Sequence, residues 1–314
     1  MSVLKKRNVT FDSNITNQST LKSVKNVLKE SIKSKKSSPQ ANWLSAALYI
    51  AFFIVFLMFS IFVVDYLHEL NDSDTIALQT DEFSRLFLKL PCSSDYGNSF
   101  KKCLPKKCGR GVTDILFEKK DITQMLNIAK KGMELGGSSG GATILDLHSG
   151  ALSHKDKFIN IYTVNSNIFN KSHFLIYTKI KEAIRLMIAK EFEIDEKHLY
   201  LTKPTFFSRL NNVPPQTKHD EYWHPHIDRI TYESFYYTSL LYLSNYNDDF
   251  TGGRFFFVDK HSNKTIEPRF GRVSFFTSGS ENKHYVERVE NGTRFALTVS
   301  FTCDKKYSIL DPGV

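Results

Sequence analysis

The run WHPHIDR, residues 223–229, sets an imidazole and a carboxylate two positions apart, at His226 and Asp228. On an extended strand, side chains two apart project from the same face. Together they supply two of the three ligands of a 2-His-1-carboxylate facial triad, which leaves one side of a ferrous ion open to substrate and oxygen. The third ligand must come from elsewhere, and the best candidate is His284, 58 residues on, in SGSENKHYVERV. Ten residues later Arg294 opens RFALTVSFT, where alternation sends Phe295, Leu297, Val299 and Phe301 one way and Arg294, Ala296, Thr298 and Ser300 the other. The second face is small and polar and is headed by a guanidinium, so it suits an anionic ligand whose carboxylate Arg294 can clamp.

Other residues compete for these roles. His224 shares the expected strand face of His226, but residues 224 and 228 of an extended strand lie about 13 Å apart, too far for one run to give three ligands. His224 and Thr298 are therefore expected to line the pocket or support the ligands. His219 and Glu221 form a second H-x-E pair, in the loop VPPQTKHDEY, and are not expected to bind metal. His148, His154, His173, His198 and His261 have no metal-type neighbours and default to structural or surface roles. Cys103 and Cys108 lack the second pair that a zinc tetrahedron needs, so disulfides are expected, with their connectivity open.

The elements that must position these groups begin with texture. From Tyr200 onward, short β-prone runs separated by turn residues predict an all-β barrel or sandwich rather than βαβ units. Before them, Asp121–Leu135 and Ser172–Phe192 carry apolar residues at helical spacing. Between the helices GGSSGG, 136–141, lacks the Lys-Ser/Thr ending of a phosphate loop and reads as a flexible turn. Residues 65–110 hold three of the four cysteines without sustained periodicity and read as a stem. The fold class expected is α+β with a mainly β core and flanking helices.

Of 314 residues, 41% are hydrophobic and 24% charged, which excludes a disordered, collagen-like or multi-span chain. Four cysteines are too few for a small disulfide scaffold. The net charge of +9 points at first to nucleic acid, but nine basic and only two acidic residues fall within the first 42 positions. The rest is nearly balanced, so no nucleic-acid partner is expected. Residues 1–42 read as a disordered basic tail and 43–64 as one transmembrane helix, 22 residues without charge. Lys33, Lys35 and Lys36 precede this span, whereas Asp65, Glu69, Asp72 and Asp74 follow it. By the positive-inside rule the tail is cytosolic and the rest lumenal or extracellular, a single-pass type II arrangement with an uncleaved signal-anchor. All four cysteines lie beyond the span, as do the sequons at Asn71, Asn170, Asn263 and Asn291, although Asn8, Asn14 and Asn17 in the tail match the same pattern.

Taken together, H-x-D, a distal His and a basic residue ten positions on resemble the Fe(II)/2-oxoglutarate-dependent oxygenases, in their prolyl 4-hydroxylase-like branch. Further matches are Pro225 before His226, Gly252-Gly253, Pro268-x-x-Gly271 and Gly292-x-Arg294. The motifs cover residues 200–303, within a domain drawn at 111–314. The resemblance implies a double-stranded β-helix, or jelly roll, with Fe(II) at His226, Asp228 and His284. It implies 2-oxoglutarate as co-substrate at Arg294 and Tyr242, with ascorbate in support. It also implies O2-dependent hydroxylation of a residue in a lumenal protein or peptide, releasing succinate and CO2. Collagen-type members have Lys where this chain has Arg294, and other members with Arg there often have Ser where Ala296 stands. The alternatives are a non-catalytic membrane-anchored jelly roll that binds a partner, and a zinc-dependent hydrolase using the same ligands.

Overall fold

The computed structural model describes residues 39–72, 75–97 and 99–312, with the side chains of 39–42, 44 and 65–72 outside that description. The basic tail, apart from the backbone of its last four residues, and the Asn71 side chain lie outside the described residues. Helix α1 (Pro39–Asp72) contains the expected span. Its Ser45–Val64 stretch is long and apolar enough to cross a membrane by length and composition, and its large apolar side chains from Leu48 onward are mostly exposed.

The following unit is mainly β. Its strands are β1 (Thr75–Ala77), β2 (Leu86–Leu90), β3 (Cys108–Thr113), β4 (Ala142–Leu145), β5 (Ala151–His154), β6 (Lys157–Asn160) and β7 (Tyr200–Asn211). They continue with β8 (Tyr237–Tyr242), β9 (Phe250–Gly252), β10 (Phe255–Phe257), β11 (Lys264–Ile266), β12 (Val273–Thr277), β13 (His284–Val286) and β14 (Val289–Thr302). The large sheet runs β2-β3-β12-β8-β14-β7-β4-β5-β6, with β9 also paired to β14, and the small sheet runs β1-β11-β10-β13. Phe255, Phe257, Ile266 and Ala77 of the small sheet share one core with Leu240, Tyr242, Phe276 and Ala296 of the large one, so the two sheets pack face to face.

The other face of the large sheet is covered by helices α2 (Lys119–Met133) and α3 (Lys171–Glu191), within two residues of the limits read from periodicity. Ile176, Ile180, Ile184 and Ile188 form a stripe at intervals of four, the spacing of one helix face. This stripe meets Phe207, Leu241, Leu297, Val299 and Phe301 in a single core. The carboxamide oxygen of Asn170 caps α3 by accepting from the His173 backbone N–H, satisfying a donor that the first turn leaves free. The alternation expected in β14 holds: Phe295, Leu297, Val299 and Phe301 face the helices, and Ala296 faces the small sheet.

Three expectations need correction. The 65–110 segment is not a free stem, because β1 pairs with β11 and β2 with β3, both within the sheets. Three- to five-residue strands are too short to carry a period, which is why sequence alone did not show them. GGSSGG is not a loose turn either: Ser138 donates to the buried Asp220 carboxylate, and a Cβ on Gly140 would sit 2.2 Å from that carboxylate. His226 and Asp228, finally, do not ride on a strand. His226 makes an isolated bridge to His284, and Asp228 opens a single helical turn, Asp228–Thr231. The cysteines pair as Cys92–Cys108 and Cys103–Cys303.

Candidate active site

His226 and His284 meet through paired backbone hydrogen bonds, each N–H donating to the other's carbonyl at 2.9 Å. This bridge brings the two imidazoles to a centroid separation of 4.4 Å. Asp228 joins them, with its Oδ1 3.5 Å from His226 Nε2 and 3.6 Å from His284 Nε2. One ligand atom from each of the three lies within 4.8 Å of the others, a spacing at which one ion could bind them all.

The surroundings fix which atoms are offered. His226 Nδ1 lies 3.0 Å from the His224 carbonyl and His284 Nδ1 2.8 Å from that of Asn282. A carbonyl only accepts, so both Nδ1 atoms carry hydrogen and both Nε2 lone pairs face the gap. Thr238 Oγ1 donates to Asp228 Oδ2 at 2.6 Å, which occupies that oxygen and leaves Oδ1 turned inward. Burial drives the Asp228 carboxyl upward, but the imidazoles of His284 and His226 and the Thr238 hydroxyl outweigh it and hold it below its ordinary value. Burial pushes His284 down, more than Asp228 draws it up. For His226 the balance reverses: burial pulls it down, while the Asp228 carboxylate and His224 carbonyl raise it above its ordinary value. The donor set is that of a hard-to-borderline divalent metal such as ferrous iron. Asp228 and His284 are buried, whereas the His226 side chain is 43% exposed, so the site opens on the His226 side.

The three residues line a cavity of ≈ 490 Å³ that also reaches Arg294 and Thr298 of β14. Arg294 is 1% exposed. Its Nε donates to the Gly253 carbonyl at 2.9 Å, while its Nη2 is buried without a hydrogen-bond partner among the described residues. A buried donor left unmet is costly, so a guanidinium on a cavity wall in this state calls for an anion. The local sequence permits the arrangement. Gly253 has φ +65°, and a Cβ there would press on Arg294 Cδ at 3.1 Å. Gly292 has φ +76°, with Asp249 O only 2.1 Å from where a Cβ would stand. Left-handed backbone in crowded space requires glycine at both positions.

Tyr242 is fully buried, its ring below the Arg294 guanidinium at 5.4 Å and its hydroxyl 3.1 Å from Ser274 Oγ. His224 is exposed at the cavity rim and pairs with Glu221 at 2.8 Å. His219 also lines the rim, apart from the three converging ligand atoms. Tyr222, Tyr232, Phe235 and Phe206 add an aromatic wall. Sequence reading missed this wall, Thr238 and the Asn282 carbonyl. Asn282 stands two residues from His284, but a main-chain acceptor has no residue signature.

Comparison with known proteins agrees with this geometry. Residues 210–302 match the 2OG-Fe(II) oxygenase superfamily. The mouse "2-oxoglutarate and iron-dependent oxygenase domain-containing protein 3" is 53% identical over 246 residues, covering 76% of this chain and 78% of that protein. The human protein of the same name is 50% identical, covering 77% of each. Rat "Prolyl 3-hydroxylase 1" is 30% identical over 154 residues, covering 43% of this chain and 21% of that protein. The family uses Fe(II) and 2-oxoglutarate, and the His226, Asp228, His284 cluster and the unpaired Arg294 nitrogen fit those two groups. The chain belongs to the 2OG-Fe(II) oxygenase superfamily.

Proposed function

We propose that this chain is a membrane-anchored dioxygenase that hydroxylates a residue of a lumenal protein or peptide. Per turnover, O2 places one oxygen atom in a substrate C–H bond and the other in the succinate formed from 2-oxoglutarate, with loss of CO2. The observation that carries the reading is the sharing of one cavity by three convergent metal donors and a buried guanidinium with a free N–H.

His226, Asp228 and His284 hold the metal, which when bound supplies the redox chemistry of oxygen activation. The other residues position and exclude. Arg294 takes the far carboxylate of 2-oxoglutarate through Nη2, a charge-assisted bond in a dry site. Tyr242 supports the guanidinium from below, and Thr298 lines the same wall. The aromatic rim of Tyr222, Tyr232 and Phe235 shields the centre from water and offers an apolar surface to an entering side chain. Ascorbate would supply the reductant that keeps a bound iron ferrous.

Placement in the secretory pathway lumen or outside the cell is supported by the apolar stretch Ser45–Val64, by basic residues before it and acidic ones after it, and by two disulfides beyond it. Asn170, Asn263 and Asn291 are exposed and open to glycosylation there. Endoglycosidase should lower the apparent mass of the expressed chain, and an unchanged mass in every Asn→Gln variant would count against the lumenal placement. The central test uses the full chain in detergent with Fe(II), 2-oxoglutarate and ascorbate, following succinate and, separately, binding of 2-oxoglutarate and metal. Binding of both and succinate above the level of His226→Ala are expected. Absence of either binding in the wild type overturns the proposal.

A further inference from the structure

The loop between β12 and β13 accepts the hydrogen bond that orients His284 and reaches Asp228 through its neighbours Thr238 and Arg229. At its start, the Ser278 carbonyl accepts from the backbone N–H of Arg229 at 3.0 Å, holding the residue after Asp228. The Ser278 hydroxyl meets Thr238 Oγ1 at 2.9 Å, the same oxygen that donates to Asp228. At its end, the Asn282 carbonyl accepts from His284 Nδ1. Asp228 is thus tied to residue 278, and His284 to residue 282.

The three residues between are gripped by a segment from far away in the chain, Ser93–Tyr96. Tyr96 is buried, accepts from the Gly279 N–H at 2.6 Å and donates to Glu281 Oε1 at 2.6 Å. Asp95 accepts from the Ser280 N–H at 2.6 Å, and the Ser93 N–H donates to Glu281 Oε2 at 3.3 Å. The Asp95 carbonyl accepts from Arg229 Nε at 2.9 Å, so the grip reaches the Asp228 turn from a second direction. Gly279 is crowded out of any side chain by this clasp: a Cβ would lie 2.6 Å from both Ser93 Oγ and Tyr96 Oη, and 2.5 Å from Glu281 Oε2. The far end is anchored as well. Cys92 is disulfide-bonded to Cys108, next to Gly109, whose carbonyl accepts from Asn282 Nδ2 at 3.2 Å.

We propose that Tyr96 and Glu281 are positioning residues of the metal centre, and that the Ser93–Tyr96 clasp sets the spacing of Asp228 and His284. The inference rests on those two residues being metal ligands. A ligand pair whose loop can relax binds an ion less tightly and with altered geometry, because the ion must then impose the spacing itself. Neither Tyr96 nor Glu281 lines the active-site cavity, so neither touches substrate or co-substrate.

The test is Co(II) titration of the full chain in detergent, reading affinity and the visible d–d spectrum of the bound ion, for wild type, Tyr96→Phe, Glu281→Gln and the double variant. The unfolding midpoint without metal is measured alongside. About tenfold weaker Co(II) binding with a shifted spectrum is expected for each single variant. The double variant should be little worse than Tyr96→Phe alone, because Glu281→Gln weakens the same hydrogen bond that Tyr96→Phe removes. Wild-type affinity and spectrum in Tyr96→Phe overturn the inference, as does a lowered midpoint with metal binding unchanged. Should Glu281→Gln fail to fold, Tyr96→Phe still decides, since it removes one hydroxyl. If wild type itself does not bind Co(II), or binds it as well as His226→Ala does, the metal-site reading fails rather than the clasp.

Discussion

Thr238 Oγ1 lies 2.6 Å from Asp228 Oδ2, and it is this bond that turns Oδ1 toward the two imidazoles. Thr238→Val keeps the branched shape and removes the donor. Weaker metal binding, by about 10- to 100-fold, is expected from the loss of a bond that orients a ligand. Mn(II) titration monitored by electron paramagnetic resonance checks this, and an unchanged affinity would show that Asp228 is held by packing alone.

Arg294 has one nitrogen bonded to Gly253 and another unmet. Arg294→Gln should raise the KM for 2-oxoglutarate by roughly 10- to 100-fold, from a hydrogen bond to a charged group worth about 1.5–3 kcal/mol, and leave Mn(II) affinity within about twofold. Arg294→Lys should recover part of the loss, because the charge remains while the fork geometry goes. An equal rise in the Mn(II) dissociation constant would place Arg294 in the metal site rather than the co-substrate site.

Metal affinity should fall on acidification in an order set by the two imidazoles. A metal needs the unprotonated Nε2, and His226, raised above its ordinary value of 6.5, keeps its proton to higher pH than a free histidine. Affinity should therefore begin to drop above pH 6.5, by about tenfold per pH unit once His226 is mainly protonated. His284, lowered by burial, adds its own loss only at more acid pH, as does Asp228, also lowered. Isothermal titration with Mn(II) across this range decides it; a flat profile down to about pH 6 would mean that His226 titrates as a depressed histidine.

Gly292→Ala should destabilise the domain through two independent faults, a left-handed φ of +76° and a Cβ 2.1 Å from Asp249 O. Together these should cost about 2–4 kcal/mol, read as a lower midpoint in urea at unchanged slope. Stability equal to wild type would mean that the β9–β14 pairing shifts freely.

The parts of this protein legible in sequence are those written by near neighbours. Phe295, Leu297, Val299 and Phe301 alternate along one strand, and Ile176, Ile180, Ile184 and Ile188 repeat along one helix, so the residues of each face announce it by their own spacing. The convergence of His226, Asp228, His284 and Arg294 on one cavity was legible because their types and intervals are tied to one kind of chemistry. What hid was carried by distant pairs. Tyr96 meets Glu281 across 185 positions, and β1 pairs with β11 across about as many. Nothing local in PCSSDYGNS signals such a partner, so the segment read as a stem when it braces the centre. The H-x-D pair converges as expected, but by a bridge and a helical turn rather than by strand alternation.

The Cys103–Cys303 bond closes a loop of 200 residues that holds the proposed metal ligands, Arg294 and most strands of both sheets. A protease that nicks any surface turn inside that loop, such as the exposed stretch around Val213, therefore cannot release a fragment. The cut protein would migrate as one species on a gel without reductant and as two with it. In an environment rich in proteases, the domain can lose chain continuity at one point and still keep its active-site residues covalently joined.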